Sequence, residues 1–203
     1  IITQASEHRI QESFDRVWEL KNTVFNKENH SEVHSTEQKK SSNLNQEIAI
    51  NSITELFGNP ALFNELKNND FLNVSVSFDK KNSFSEEISS NFDSTTMNLE
   101  EALLSEKDLV LLSLFPPAVK PKDQFGFDEK TLADIHRVLE EKNTLIYLFG
   151  NPYVLDILKL QPSSNVVLVY QDFPEFQEVA FEHFSGKIEA RGKLSIQLKT
   201  FQP

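Results

Sequence analysis

TLIYLF at residues 144–149, stopped by Gly150-Asn151-Pro152, and NVVLVY at 165–170, stopped by Gln171-Asp172, decide the fold of this 203-residue chain. Both runs are apolar almost throughout instead of alternating, the pattern of strands buried on both faces. Helical spacing separates and follows them. One short stretch carries Tyr153, Val154, Ile157 and Leu158. The next starts at Asp172, with Glu175 three residues on, places Phe176, Val179, Ala180, His183 and Phe184 inward, and closes at Gly186. Strands alternating with helices predict parallel pairing through crossover connections.

The same alternation extends upstream. FLNVSVSF at 71–78 reads as a strand, and DLVLLSLF at 108–115, the most apolar run, as a central one. Between them residues 83–91 are helix-like with Phe84, Ile88 and Phe92 on one side, and Asn98 with Glu101 opens a short helix bearing Leu99, Ala102 and Leu103. Residues 116–126 form a Pro/Lys/Gly loop. Asp128 then caps a helix whose inner face is Leu132, Ile135, Val138 and Leu139. Residues 61–69, after the turn at Phe57-Gly58-Asn59-Pro60, read as a loop or short helix. The expected architecture is a three-layer α/β/α sandwich with a mainly parallel sheet of about five strands, preceded by a linker helix.

That helix spans about residues 5–25, where Ile10, Phe14, Val17, Trp18, Lys21, Val24 and Phe25 form one stripe. Residues 26–45 are polar and charged and read as an exposed connector. Two regions are therefore expected, 1–45 and 46–203. The chain opens Ile1-Ile2-Thr3 and its one methionine is Met97, so it is expected to be cut from something longer.

Charge and composition narrow the function. A net charge of −11 repels phosphate backbones and anionic lipid, so neither nucleic acid nor membrane insertion is expected. No stretch has the apolar length of a membrane span or the layout of a signal peptide. The absence of cysteine excludes disulfides and thiolate chemistry. No G-x-G-x-x-G, G-x-x-x-x-G-K-[ST] or G-x-S-x-G occurs, so no cofactor is expected. Ser77 and Lys80 match an S-x-x-K pattern by letters alone, without its companion motifs. His30 and His34 have metal-ligand spacing but lie in the polar connector with no third ligand, and no metal site is assigned. His136 falls on the outer side of its helix, and His183 reads as a packed, hydrogen-bonded histidine at the core edge.

FGNPY at 149–153, VVLVYQD at 166–172, a helix closing on Gly186 and GKLSI at 192–196 follow one another in an order that resembles the C-terminal α/β domain of family 3 glycoside hydrolases, nearest the β-N-acetylglucosaminidase-like branch. Arg9-Ile10 and Arg16-Val17-Trp18-Glu19-Leu20-Lys21 resemble the helix that leaves the family's barrel, and QEIAINSIT at 46–54 its helix-to-strand segment. Ser195 stands where the family usually has proline.

The resemblance implies a partner, an N-terminal (β/α)8 barrel of the same chain, through which carbohydrate (terminal β-N-acetylglucosamine or β-glucose residues) would be met. The family's nucleophilic aspartate and its barrel histidine loop match no segment here. No catalytic residue is therefore assigned, and the chain alone is expected to be inactive. A carboxylate from this domain serves as acid/base in the β-glucosidase branch, but no motif here marks one. A parent enzyme exported in a Gram-negative bacterium is a further implication.

In an open parallel sheet, ligands meet the carboxyl ends of the strands. Lys120, Lys122 and Asp172 are the candidates for the edge of a sugar site. Gly150, Asn151, Pro152, Gly186 and Gly192 are assigned structural roles, with positive φ expected at Gly150 and Gly186. Two other readings stay open: a stand-alone flavodoxin- or receiver-shaped binding module, and a ligand-free interaction scaffold exposing an apolar patch around Val17, Trp18 and Phe25.

Overall fold

The computed structural model describes residues 7–25, 33–56, 59–160, 164–194 and 196–199. The chain divides into two compact units, Ile1–Asn43 and Leu44–Pro203. The first contains helix α1 (Glu7–Phe25). Phe14, Val17 and Trp18 lie on its surface, more than half exposed, and Phe14 and Trp18 stack with centroids 5.9 Å apart. The described members of the predicted stripe, Phe14, Val17, Trp18 and Lys21, are thus exposed. The side chains of Ile10, Val24 and Phe25 lie outside the described residues, as do His30 and the side chain of His34.

Helix α2 (Val33–Ser52) crosses the unit boundary. The loop-like connector expected at 26–45 is helical from Val33 onward, because a polar sequence does not by itself exclude a helix. Glu37, Gln38, Lys39 and Lys40 are good helix formers. The helix feeds Ala49 into the core, and the chain passes through buried Ile53 to a short strand, β1 (Thr54–Leu56).

The second unit is one six-stranded sheet with helices on both faces. After helix α3 (Pro60–Asn68) come β2 (Phe71–Val76), α4 (Ser83–Asn91), β3 (Ser94–Met97), α5 (Leu99–Leu104) and β4 (Leu109–Leu114). Then follow α6 (Glu129–Glu141), β5 (Asn143–Leu148), a 3-10 turn (Pro152–Asp156), β6 (Asn165–Leu168) and α7 (Pro174–Ser185). The strand order is β1-β6-β5-β4-β2-β3. The β2, β3, β4, β5 and β6 pairings are parallel, and β1 joins β6 antiparallel at the edge.

Each apolar run divides its residues between two cores. Leu72, Val74, Val110, Leu112, Ile146, Leu148, Val166 and Leu168 pack with Leu99 and Ala102 of α5 and Leu132, Ile135 and Val138 of α6. The alternate residues, among them Phe71, Leu111, Leu145, Tyr147 and Val167, pack with α3, α4 and α7. This second core is aromatic: Phe115 and Phe149 stack at 4.3 Å, and Phe84 meets Tyr147 at 4.8 Å. Burial on both faces is why the strands carry no polar alternation.

The helix starts are set locally. The side chains of Asn59, Asn82, Asn98 and Asp128 accept backbone N–H bonds at the starts of α3, α4, α5 and α6, and Asn98 with Glu101 closes a capping box. Helix α7 differs from expectation. Its N-cap is Phe173, with Pro174 at the first helical position and no side-chain cap, so Asp172 is free for another role. Strand β3, Ser-Thr-Thr-Met, was not expected from the sequence; as an edge strand it needs no apolar run. Among the described residues no helix is long and apolar enough to cross a membrane.

Candidate functional site

The chain steps from β2 outward to β3, then returns across β2 to β4. Keeping both crossovers right-handed puts α4 and α5 on opposite faces and leaves a switch point between β2 and β4. The loops at the carboxyl ends of β2, β4, β5 and β6 meet there, and the protein's own side chains tie them together.

Lys80, after β2, donates to Pro116 O at 2.9 Å and lies 2.7 Å from the Asp172 carboxylate, after β6. Two strands separate β2 from β6, so this lysine spans the sheet's carboxyl edge. Gln177, almost fully buried in the first turns of α7, makes the second tie. Its Oε1 accepts from Ser83 Oγ (2.9 Å) and Phe84 N (3.2 Å), and its Nε2 donates to Lys81 O (3.1 Å) and Asp172 O (2.7 Å). Beneath them Asn82 Nδ2 reaches Ser75 Oγ at 2.5 Å and Ser113 Oγ at 3.4 Å. Each buried polar group here has partners, as burial requires.

The loop after β4 contains a rare feature. Asp123, Gln124 and Phe125 take φ of 53°, 53° and 58°, and Gly126 follows at 82°, a single turn of left-handed helix. Non-glycine residues resist this conformation. It is held by Phe125 and Phe127, both buried, and by Ala118 N donating to Phe125 O at 2.8 Å. After β5, Asn151 Oδ1 accepts from Tyr153 N (3.0 Å) while its Nδ2 donates to Val119 O (3.1 Å), joining two neighbouring loops.

An open groove of about 430 Å³ lies over these loops, lined by Lys80, Val119, Asn151, Tyr153, Tyr170 and Asp172 among others. Of the residues singled out in the sequence, Asp172, Gly150, Asn151 and Pro152 line it. Lys120 and Lys122 are exposed in the loop after β4 and do not. Gly150 lacks the expected positive φ. The site is tight instead: a Cβ would meet the Pro116 ring at 3.1 Å, so a larger residue needs that ring to shift by a few tenths of an ångström. Gly186 has φ 84° and ends α7 as expected. Gly192 is needed for close approach: its N donates to Ile53 O at 2.8 Å, and a Cβ would lie within 2.7 Å of the Ser52 carbonyl carbon. Lys80 and Gln177 were not foreseen as ties, because their partners come from distant loops.

A second cluster lies away from this edge. His183 Nε2 is 2.9 Å from Glu55 Oε1 on β1, and its Nδ1 is 2.8 Å from the Tyr147 hydroxyl on β5. The hydrogen bond from His183 holds the Glu55 carboxyl below its ordinary 4.5 against partial burial, and the histidine's charge assists. Burial, assisted by the Glu55 charge, pushes the Tyr147 phenol well above 10.0. The row carboxylate–imidazole–hydroxyl resembles a nucleophile relay, but its hydroxyl end is fully enclosed in the core and presents nothing to a substrate. It pins the edge strand to α7. His136, expected on the outer side of its helix, is partly buried, with Nε2 2.9 Å from Ile157 O. Among the described residues no group of three or more histidines and carboxylates is arranged to hold a metal ion.

No protein-family model matches the sequence, and no curated protein matches it either. Solved structures do match. A family 3 β-N-acetylglucosaminidase from a Paenibacillus species superposes with TM-score 0.65 at 17% identity, over 97% of this chain and 41% of its own. A fungal multi-domain family 3 β-N-acetylglucosaminidase gives 0.69 at 15% identity, over 98% and 24%. A β-glucoside phosphorylase, BglX, gives 0.61 at 18%, over 93% and 38%. The chain therefore has the fold of one part of family 3 glycoside hydrolases, and it spans between 24% and 41% of the length of these structures.

Proposed function

We propose that this chain is the accessory α/β domain of a family 3-type glycoside hydrolase acting on terminal β-N-acetylglucosamine or β-glucose residues. In this reading residues 46–203 pack on a (β/α)8 catalytic barrel, residues 1–45 lead from it, and the loops at the sheet's carboxyl edge complete the rim of the sugar site. The observation that carries it is the match of 97% of this chain to 41% of a family 3 β-N-acetylglucosaminidase, together with the order of the FGNPY, VVLVYQD and GKLSI segments.

The chemistry of the groove supports a rim role and not a catalytic one. Glycoside hydrolysis generally uses two carboxyl groups across the scissile bond. The groove offers one, Asp172, and that carboxylate is in an ion pair with Lys80. Tyr153, Tyr170 and Asn151 add aromatic faces and an amide, the groups that orient a polar ligand without transforming it. Lys120 and Lys122 stand farther out on the same edge as rim candidates.

In the complete gene product, Asp172→Asn is expected to raise KM for a nitrophenyl β-N-acetylglucosaminide or β-glucoside by about two- to tenfold, the worth of one hydrogen bond, with kcat nearly unchanged. Unchanged KM would remove Asp172 from the rim. A complete gene product that hydrolyses neither substrate would overturn the assignment.

A further inference from the structure

We infer that the groove between β1 and the ends of α3 and α7 binds a small zwitterion, a free amino acid or short peptide with an apolar side chain. Glu55 takes the ligand's ammonium group and Lys67 its carboxylate. The groove holds about 440 Å³, within the range of small-molecule sites, and is lined by Glu55, Phe63, Lys67, His183, Gly186 and Ile188 among others. It is separate from the rim at the carboxyl edge. Lys67 stands in the last turn of α3, next to the amino end of β2, and the two grooves share no lining residue.

Both charges reach the groove incompletely paired. Glu55 Oε1 is held by His183 Nε2 at 2.9 Å, and among the described residues its Oε2 has no partner. His183 is itself fixed: its side chain is 3% exposed, its Nδ1 lies 2.8 Å from the Tyr147 hydroxyl, and its ring stands edge-on to Phe63 at 5.7 Å. The carboxylate is therefore anchored through one oxygen and open at the other. Lys67 is partly buried, and among the described residues its ammonium makes neither an ion pair nor a hydrogen bond. The last carbonyls of α3 attract it only weakly, so its three N–H donors remain for a ligand. Gly186, which ends α7 at φ 84°, leaves that ammonium uncovered. A Cβ there would lie 3.6 Å from Lys67 Nζ, and a longer side chain would stand in front of it.

Phe63, Ile188 and Ala190 supply an apolar wall, each partly buried against the second core. An anchored carboxylate, an unpaired ammonium and an apolar wall complement a molecule that carries the opposite charges on an apolar body. A purely anionic ligand would meet Glu55 and the exposed Glu189, and a purely cationic one Lys67. A neutral ligand would leave both charges without a partner.

Two-dimensional NMR titration of the 203-residue chain tests this, with L-phenylalanine and L-alanyl-L-phenylalanine as probes. At least one is expected to shift the amides of Glu55, Phe63, Lys67 and residues 186–190, with a dissociation constant in the low millimolar range or tighter, and to leave those of 117–121 and 150–153 unmoved. Tighter binding of the dipeptide assigns the groove to peptides, and tighter binding of phenylalanine to free amino acids. N-acetylphenylalanine lacks the ammonium and phenylalaninamide lacks the carboxylate. Each should bind about three- to tenfold more weakly than phenylalanine, the worth of one partly exposed charged contact. Lys67→Met should weaken phenylalanine by the same factor and leave phenylalaninamide unaffected. Glu55→Gln, which keeps an acceptor for His183, should weaken phenylalanine and leave N-acetylphenylalanine unaffected. Unchanged spectra away from the groove report that each variant folds. No shift at about 20 mM of either probe, far above a low millimolar constant, would overturn the inference. So would shifts confined to the carboxyl edge, or equal losses for every ligand in either variant.

Discussion

His183 shows how far a single residue can be read. Its position on the inward side of a helix predicts a packed, hydrogen-bonded histidine, and that is what it is. Its partners were not legible, because Tyr147 and Glu55 lie 36 and 128 residues away and meet it only in the folded sheet. Tyr147→Phe leaves His183 Nδ1 without a partner in the core and is expected to cost about 1–3 kcal/mol in urea unfolding. Glu55 makes a pH prediction. Its pKa is lowered on folding, so the stability it contributes is present above 4.5 and disappears as pH falls through the lower folded value. The wild type should therefore lose stability below pH 4.5 more steeply than Glu55→Gln, by well under about 1 kcal/mol since Glu55 is half exposed. Parallel acid limbs would contradict the pairing. Gly192 is sharper: Gly192→Ala forces a methyl into the Ser52 backbone and should cost about 1–3 kcal/mol of thermal or urea stability.

Elements that bury both faces announce themselves, and those at edges do not. The runs at 109–114, 143–148 and 165–168 were legible because a strand covered on both sides must be apolar. Strand β3 was not, because its four residues are half-solvated at the rim. Helix α2 was hidden by the same logic reversed: its first turns are polar, and polarity was read as loop. At Asp172 the D-x-x-E spacing favoured a cap, but Pro174 shifts the helix start by one residue and leaves the carboxylate to Lys80. No sequence pattern signals the left-handed turn at 123–125, which depends on Phe125 and Phe127 being anchored below it. Gln124→Gly should relieve part of its strain and raise stability by up to about 1 kcal/mol, offset by glycine's larger unfolded-state freedom. A loss of stability there would mean that the side chain, not the backbone, holds the turn.

At the scale of the whole molecule, Lys80, Gln177 and Asn151 tie together the loops at the sheet's carboxyl end, and the role proposed for that end is that of a rim. The single tryptophan reports on the first unit independently. Trp18 is 55% exposed, so the 203-residue chain should show red-shifted emission readily quenched by acrylamide, and the complete gene product a shielded signal. Equal quenching would leave α1 without a covering partner. Under the proposed function, the groups which break a glycosidic bond lie outside these 203 residues. Its most direct test is turnover of a nitrophenyl β-N-acetylglucosaminide and β-glucoside by the purified chain alone. No hydrolysis above the uncatalysed rate is predicted, beside activity of the complete gene product on one of them; steady turnover by the chain itself would contradict the claim.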